Sequence, residues 1–179
     1  VTLIGDRWFN SPNVSVALRA PRQLQLAIQS ERRLSPVKKQ AAKRLVQEML
    51  AQGLVEVGKP GAPAAMPVVI VKRHGNKAEC RLCVDLFDLS AKAEPVQGSL
   101  PQKDELFEKI QRLKWRFQTD LRSSYFQLEI DESCRDLFSF MVEGRVWRFA
   151  RLPLGYQYSP AIFGNAMDEV FGSFFAQKD

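Results

Sequence analysis

Polar and apolar residues alternate regularly between positions 115 and 160, and this pattern predicts four β-strands. The first two are residues 115–120 and 125–130, in which successive side chains take opposite faces. Two further strands are predicted to form a hairpin around Glu143 and Gly144. The first strand ends in Asp120, and a short polar turn rich in backbone N–H groups follows it. A carboxylate beside such a turn suits a metal ion and a polyphosphate.

Apolar residues at helical spacing predict three helices. Ser35 and Pro36 begin the first helix as N-cap and first helical residue, and Gly53 ends it. Residues 104–113 form the second helix, and Ser159 begins the third. The third helix has an apolar stripe that is predicted to pack in the core, consisting of Phe163, Met167, Val170, Phe171 and Phe174.

A basic β-hairpin is predicted between the first two helices. After a short strand at 54–57, it consists of strands 66–73 and 80–85 around a turn at positions 74–76. Basic side chains lie at its tip and on its return strand: Lys72, Arg73, Lys77 and Arg81. Such a hairpin can fold over a phosphate chain, although a solvated tip is the alternative. Residues 1–34 are predicted to be an extended lead-in, and residues 86–102 a loop.

The net charge of +6 is concentrated in the first half of the chain. Residues 1–92 hold 15 Lys and Arg against 7 Asp and Glu, a net charge of +8, whereas residues 93–179 carry −2. A basic half of this kind indicates a polyanionic partner, with nucleic acid first, but is also compatible with an ordinary solvated surface.

Three cysteines in 179 residues give no disulfide framework and indicate a reducing compartment, so an intracellular location, cytoplasmic or nuclear, is expected. Cys80 and Cys83 form a C-x-x-C, but residues three apart on a strand point to opposite faces, which argues against zinc. No run of about 18 apolar residues occurs, so no membrane span or membrane partner is expected. The absence of an initiator Met suggests a piece of a longer product.

Five segments, in order along the chain, resemble motifs of reverse transcriptases (RNA-directed DNA polymerases) of the gypsy-type LTR retrotransposon and retroviral kind. QGLVE at 52–56 resembles xGxIE, and VIVKRHG at 69–75 with RLCVD at 81–85 resembles the fingers hairpin VxKKDG…RxCVD. LP at 100–101, FQTDLRSSYFQ at 117–127 and LPLGYQYSPAIF at 152–163 resemble PLP, FSxLDLxSGYxQ and MPFGLxNAPxxF. Each motif is weak alone, but five in order are specific.

The resemblance implies an α+β fold, a right-hand polymerase fingers and palm fragment whose antiparallel palm sheet has helices packed on one face. Residues 1–34 are the expected lead-in segment, 35–92 the fingers subdomain and 93–179 the palm subdomain, truncated before the family's Y-x-D-D hairpin. The implied reaction is template-directed transfer of deoxynucleotides to a primer 3′-OH by two-metal catalysis with Mg²⁺. The implied partners are an RNA or DNA template with primer, deoxynucleoside triphosphates and the remainder of a pol polyprotein.

The resemblance also implies roles for single residues. Asp120 matches the first catalytic aspartate and would be a Mg²⁺ ligand. Tyr125 matches an aromatic gate that leaves no room for a ribose 2′-OH, and Gln127 matches a template-side contact. The remaining positions match contacts to the incoming nucleotide: Lys72, Arg81, Leu121, Arg122, Ser123, Ser124, Leu154 and Gly155. Since one carboxylate cannot hold two dications, the isolated chain is expected to polymerise little or not at all.

The chain departs from the family pattern at several positions. The segment 85–90, DLFDLS, replaces DYRxLN and so lacks its Arg and Asn, while Ser124 stands for the usual Gly and Leu154 for Phe or Gln. A degenerate or co-opted nucleic-acid-binding module without catalysis is therefore the alternative function. Tyr125 disfavours an RNA-dependent RNA polymerase, which needs space for the 2′-OH. Individually, Asp120 could be an ordinary surface carboxylate, Tyr125 a half-buried strand aromatic and Leu154 a packing residue.

Overall fold

The computed structural model describes residues 15–16, 26, 34–74, 77–98, 102–116, 118 and 120–175, which form a mixed α/β structure. In chain order the elements are β1 (Ser15–Val16), α1 (Pro36–Ala51), β2 (Val55–Val57), β3 (Met66–His74), β4 (Lys77–Asp85), α2 (Phe87–Lys92), α3 (Lys103–Arg112), β5 (Glu129–Ile130), β6 (Ser139–Val142), β7 (Arg145–Phe149) and α4 (Ser159–Phe175). Two 3₁₀ helices, Ser124–Gln127 and Glu132–Phe138, flank β5. No helix in this described part is long and apolar enough to cross a membrane.

Helix α1 begins and ends where the sequence predicts. Ser35 is its N-cap with extended backbone, and proline occupies the first helical position. At its other end Gly53 takes a φ of 67°, so that its N–H donates to the carbonyl of Leu50 and the N–H of Leu54 donates to that of Met49. These two bonds form a Schellman motif, which ends the helix and directs the chain into β2.

A three-stranded antiparallel sheet with the strand order β2-β7-β6 contributes much of the core. Glu143 and Gly144 connect β6 to β7 with φ values of 53° and 69°, the backbone of a type I′ turn. The predicted hairpin is therefore confirmed. One face of this sheet is apolar, since Phe140 and Phe149 are buried with ring centroids 5.0 Å apart.

The opposite face of the sheet carries a buried ionic network centred on Arg148, which alternates with Phe149 along β7. The side chain of Arg148 is 11% exposed. Its Nε, Nη1 and Nη2 atoms lie 2.7, 2.8 and 2.5 Å from carboxylate oxygens of Glu56, Asp136 and Glu132. Nη1 and Nη2 donate hydrogen bonds to Asp136 and Glu132, whereas Nε lies close to Glu56 without a hydrogen bond. The three carboxylates together compensate a charge that water hardly reaches.

Further charged residues extend this network to β5 and to the loop after β2. Arg135 Nη2 lies 2.7 Å from a carboxylate oxygen of Glu129, and Lys59 Nζ lies 2.6 Å from one of Asp136. Burial opposes ionisation of Asp136, but hydrogen bonds from Lys59 and Arg148 outweigh it and hold the pKa of this carboxyl below its usual value. The network joins segments that are far apart in the chain.

Strands β3 and β4 form the predicted long hairpin and pair antiparallel over nine residues each. Its turn residues Gly75 and Asn76 lie outside the described residues. At the other end of the hairpin, the N–H of Ala65 donates to the carbonyl of Ser139 at 2.7 Å. This bond connects the hairpin to β6 of the three-stranded sheet.

Residues 87–92 form helix α2, so the prediction of a loop across 86–102 is wrong there. The N–H of Phe87 donates to a carboxylate oxygen of Asp85, and Asp88 pairs with Lys92 one turn later at 2.9 Å. Leu89 is buried and anchors the helix to the core. A six-residue helix is too short to show a periodic pattern, which explains why the sequence did not predict it.

The two strands predicted at 115–120 and 125–130 are wrong over most of their length. The described residues of the first segment have irregular backbone, and residues 124–127 of the second form a 3₁₀ helix. Only Glu129–Ile130 is a strand, and it pairs in parallel with β1 of the lead-in. Alternation over four residues also fits one 3₁₀ turn, since Tyr125 and Phe126 still point in different directions.

The loop between β7 and α4 packs against the β3–β4 hairpin at Gly155. Gly155 has a φ of 96°, and a Cβ atom there would lie 3.0 Å from the carbonyl oxygen of Val84. Nearby, the N–H of Gln157 donates to Oγ of Ser90 in α2 at 3.2 Å. These contacts fix the start of α4, which is at Ser159 as predicted, relative to β4 and α2.

Two amphipathic helices are less buried than their patterns predict. In α4, Ala166 is buried and Phe163 packs against the core, but Phe171 is 44% exposed and so does not belong to the core. The side chain of Phe174 lies outside the described residues. Helix α3 confirms the predicted helix at 104–113, yet it has no buried side chain and Phe107 is 61% exposed.

Replacing Arg148 with Met should lower the free energy of unfolding by about 2–4 kcal/mol, because three converging carboxylates lose their shared cation. Urea denaturation of both proteins measures this. The control is Arg44→Met, since that side chain is 64% exposed and pairs with Glu48 on α1. Its effect should be below about 0.5 kcal/mol. Equal urea midpoints for the two variants would contradict the role assigned to the network.

Replacing Gly155 with Ala should destabilise the protein by about 2 kcal/mol, because the new Cβ meets the carbonyl of Val84 at a positive φ. Gly172→Ala is the matched control, since its Cβ would have no neighbour within 4 Å inside α4. That change should stabilise the protein by about 0.5–1 kcal/mol. The same denaturation experiment compares them, and a Gly155→Ala protein as stable as the parent would rule out the close contact.

Candidate active site

Asp120 and the turn after it lie on the surface of the protein. Asp120, Leu121, Arg122 and Ser123 are all exposed, and the turn predicted from the sequence is confirmed. Ser123 has left-handed backbone, with φ 52° and ψ 44°, and directly precedes the 3₁₀ helix Ser124–Gln127. Among the described residues Asp120 takes part in no hydrogen bond or ion pair, so the structure does not join it directly to the other candidate residues.

Tyr125 is half-buried between the first 3₁₀ helix and α4. Its ring meets the ring of Phe163 edge-on, with centroids 5.7 Å apart and an interplanar angle of 77°. The next residue, Phe126, points instead toward the sheet, where its ring stacks on Phe149 at 6.5 Å. The 3₁₀ turn is therefore packed against α4 through Tyr125 and against the sheet through Phe126. These contacts hold the Tyr125 ring in a defined orientation beside the Asp120 turn.

Gln127 closes the turn that contains Ser123 and Ser124. Its Nε2 atom donates to the carbonyl of Arg122 at 3.1 Å, and its own carbonyl accepts from Nη1 of Arg151 at 3.3 Å. Burial lowers the pKa of Arg151 below its ordinary value. Through these contacts Gln127 stabilises the turn. Nothing in the sequence indicated this structural role.

Arg81, Leu154 and Gly155 lie around the junction of the hairpin with the loop before α4. Arg81 is exposed on β4, three residues before Val84, whose carbonyl oxygen faces Gly155. Leu154 is 60% exposed. Lys72 lies on β3, but its side chain is outside the described residues. The structure thus places Gly155 next to Val84, three residues along β4 from Arg81, although the two segments are far apart in sequence.

Tyr156 directly follows the 154–155 segment and is buried below it. This burial was not predicted from the sequence. It is 2% exposed, and its ring meets those of Phe138 and Tyr158 edge-on at centroid distances of 5.3 and 5.5 Å. Burial disfavours the phenolate and raises the pKa of Tyr156 to about 12. Its neutral ring therefore serves as packing beneath the loop. A tyrosine next to Gly155 in a polar stretch carries no sequence signal of such burial.

Asp120 is the one candidate metal ligand among the predicted site residues. Its exposed carboxylate suits a hard cation such as Mg²⁺, which takes oxygen ligands. A two-metal site needs more than one carboxylate. In the described part of the chain, however, no three His, Cys, Asp or Glu side chains lie close enough to hold a metal ion. These residues alone do not fit a site for two Mg²⁺ ions.

No protein-family model matches the chain. It is 29% identical over 128 residues, 70% of its length, to the retrovirus-related Pol polyprotein from transposon 412 of Drosophila melanogaster, of which it spans 10%. It is 29% identical over 129 residues to the corresponding polyprotein from transposon gypsy, of which it spans 12%. It is also 27% identical over 145 residues, 78% of its length, to the enzymatic polyprotein of cauliflower mosaic virus, strain Strasbourg, of which it spans 21%. The chain therefore corresponds to a region of a retroelement-type pol polyprotein.

Proposed function

We propose that this chain is the fingers and front palm of a reverse transcriptase, which adds deoxynucleotides to a primer 3′-OH under the direction of an RNA or DNA template. The observation that carries the proposal is the contact between Gly155 and Val84. It joins two segments that resemble separate nucleotide-binding motifs, the fingers hairpin and the loop before the last palm helix. A shared function at one nucleotide explains why these distant segments meet.

The basic hairpin and the exposed turn supply the groups that bind the triphosphate. Arg81 is exposed on β4 and offers a permanent charge with several donors, which suits phosphate oxygens. Lys72, on the paired strand, adds a second cation. Residues 121–124 bind through backbone N–H groups, which a left-handed Ser123 orients differently from those of a regular strand. Gln127 fixes this turn through its bond to Arg122 and so positions the turn for the nucleotide.

Tyr125 selects the sugar of the incoming nucleotide. Its ring is held edge-on against Phe163 and cannot move away without breaking that contact. A ring in this position leaves no room for a 2′-OH, so ribonucleotides are rejected by a steric clash. Leu154 and Gly155 line the sugar and base on the other side, where a side chain at 155 would meet the backbone of Val84.

In the complete enzyme Asp120 would be one ligand of Mg²⁺, which would neutralise the triphosphate and activate the primer hydroxyl. Its position next to the triphosphate-binding turn and its exposure support this role. Among the described residues, no three potential ligand side chains lie close enough together to hold a metal ion. We therefore expect the isolated chain to bind nucleic acid weakly and to polymerise little.

A nucleic-acid-binding module without catalysis is the second candidate function. Two observations favour it. No three potential metal ligands cluster among the described residues, and the altered segment 85–90 runs into helix α2, whose first residue Phe87 is 76% exposed. In this function the basic hairpin contacts nucleic acid, but no nucleotide is transferred.

Replacing Asp120 with Asn in the longer pol product should reduce primer extension at least about 100-fold, because the amide cannot neutralise a dication. The assay uses Mg²⁺, dNTPs and a primer on RNA and on DNA templates. Asp104→Asn is the control, since Asp104 is an exposed carboxylate at the start of α3 and lies outside the site. Retention of parental activity by Asp120→Asn would refute the site. An inactive parent that still binds the template would favour the second candidate.

Replacing Tyr125 with Ala should raise the ratio of ribonucleotide to deoxynucleotide incorporation roughly tenfold or more, because the steric barrier is removed. Tyr125→Phe keeps the ring and its edge-on contact with Phe163, and should discriminate like the parent. Single-nucleotide incorporation kinetics with matched rNTP and dNTP measure both variants. An Ala variant that still incorporates dNTPs and rejects rNTPs as strongly as the parent would exclude Tyr125 as the gate.

A further inference from the structure

Trp115 is the most exposed large apolar side chain in the described part of the chain. It is 84% exposed, compared with 76% for Phe87 and 74% for Val37. The alternating pattern predicts that it begins a strand, but it follows α3 in irregular backbone. Single exposed apolar residues are common on protein surfaces. An indole as exposed as this one nevertheless presents a large flat ring on which a partner can stack.

The sequence neighbours of Trp115 are rich in basic residues. Arg112, Lys114 and Arg116 are all exposed, and no acidic residue occurs between Glu108 and Asp120. Arg112 lies in the last turn of α3, where the helix dipole accounts for a basic residue. Because Lys114 and Arg116 lie beyond the end of α3, the helix dipole does not account for them.

The charges around Trp115 identify its partner as nucleic acid and not as a protein surface. The apolar side of α3 itself, with Leu106 and Phe107, is flanked by Asp104, Glu105 and Glu108. The segment 112–116 has only positive charge, +3 over five residues. An exposed indole between cations matches the chemistry that binds single strands, in which bases stack on a ring and phosphates meet Lys and Arg.

We propose that Trp115, Lys114 and Arg116 form a stacking platform for single-stranded nucleic acid, in which a base stacks on Trp115 and the flanking phosphates contact Lys114 and Arg116. This inference rests on the proposed function, and it identifies the platform's ligand as the unpaired template. Asp120 is the fifth residue after Trp115, so their Cα atoms are at most about 18 Å apart. A strand on the platform therefore lies within reach of the candidate active site.

Fluorescence anisotropy with labelled 12-nucleotide dT and U oligomers tests the platform in the chain itself. Trp115→Ala should weaken binding about 5- to 100-fold, whereas Trp115→Phe, which keeps a ring, should stay close to the parent. Leu113→Ala is the matched control, since Leu113 is 54% exposed, lies two residues away and has no ring. It should bind like the parent. Lys114→Ala should reduce the slope of log affinity against log salt by about 0.7.

The outcomes separate this inference from the proposed function. If all variants bind single strands like the parent, the platform is refuted while a nucleic-acid function stands. If the Leu113→Ala protein loses as much affinity as Trp115→Ala, the effect is general to the apolar surface and the platform is also refuted. If the parent binds neither oligomer nor a primer–template duplex, the proposed function fails as well. Circular dichroism spectra that match the parent's would exclude misfolding as the cause of any loss of affinity.

Discussion

The buried guanidinium of Arg148 is the interaction on which the central sheet most depends. Three carboxylates from two distant parts of the chain converge on its three nitrogens at 2.5–2.8 Å. A buried ion pair contributes little net free energy compared with an apolar core, but losing one partner is costly because charge is left uncompensated. The network therefore specifies which segments must lie together: β2, β7 and the 3₁₀ helix Glu132–Phe138. Arg135 adds β5 through Glu129.

The candidate site follows from that framework. Strand β5 directly follows the 3₁₀ turn with Tyr125 and Gln127, so fixing β5 also fixes the turn after Asp120. On the other side, β7 leads into the loop with Gly155, whose lack of a side chain lets it approach the hairpin backbone at Val84. The candidate residues thus lie on two surface segments that are each anchored in the core a few residues away. Exposed binding groups on a rigid scaffold are typical of functional loops.

The parts of the fold that depend on local chemistry could be predicted from the sequence. Pro36 and Gly53 fixed the ends of α1, and Glu143 with Gly144 suited the positive φ values of a hairpin turn. The parts that depend on distant contacts could not. Helix α2 exists because Leu89 is buried, and four alternating residues at 124–127 fit a 3₁₀ turn as well as a strand. The Arg148 network needs residues from separate segments, and no periodic pattern indicates them.

For the site, the residue types and their order in the sequence identified Asp120, Tyr125 and the basic hairpin as candidates. They did not predict how these groups are arranged in space. The approach of Gly155 to Val84, the bond from Gln127 to Arg122 and the exposure of Trp115 all depend on the folded chain. The proposed function requires that the hairpin and the 154–155 loop bind one nucleotide. Photocrosslinking of an azido-dNTP to the longer pol product on a primer–template, with the labelled peptides mapped by mass spectrometry, tests it most directly. Label is expected in both the β4 peptide with Arg81 and the peptide with Leu154 and Gly155. Label that maps to neither would contradict it.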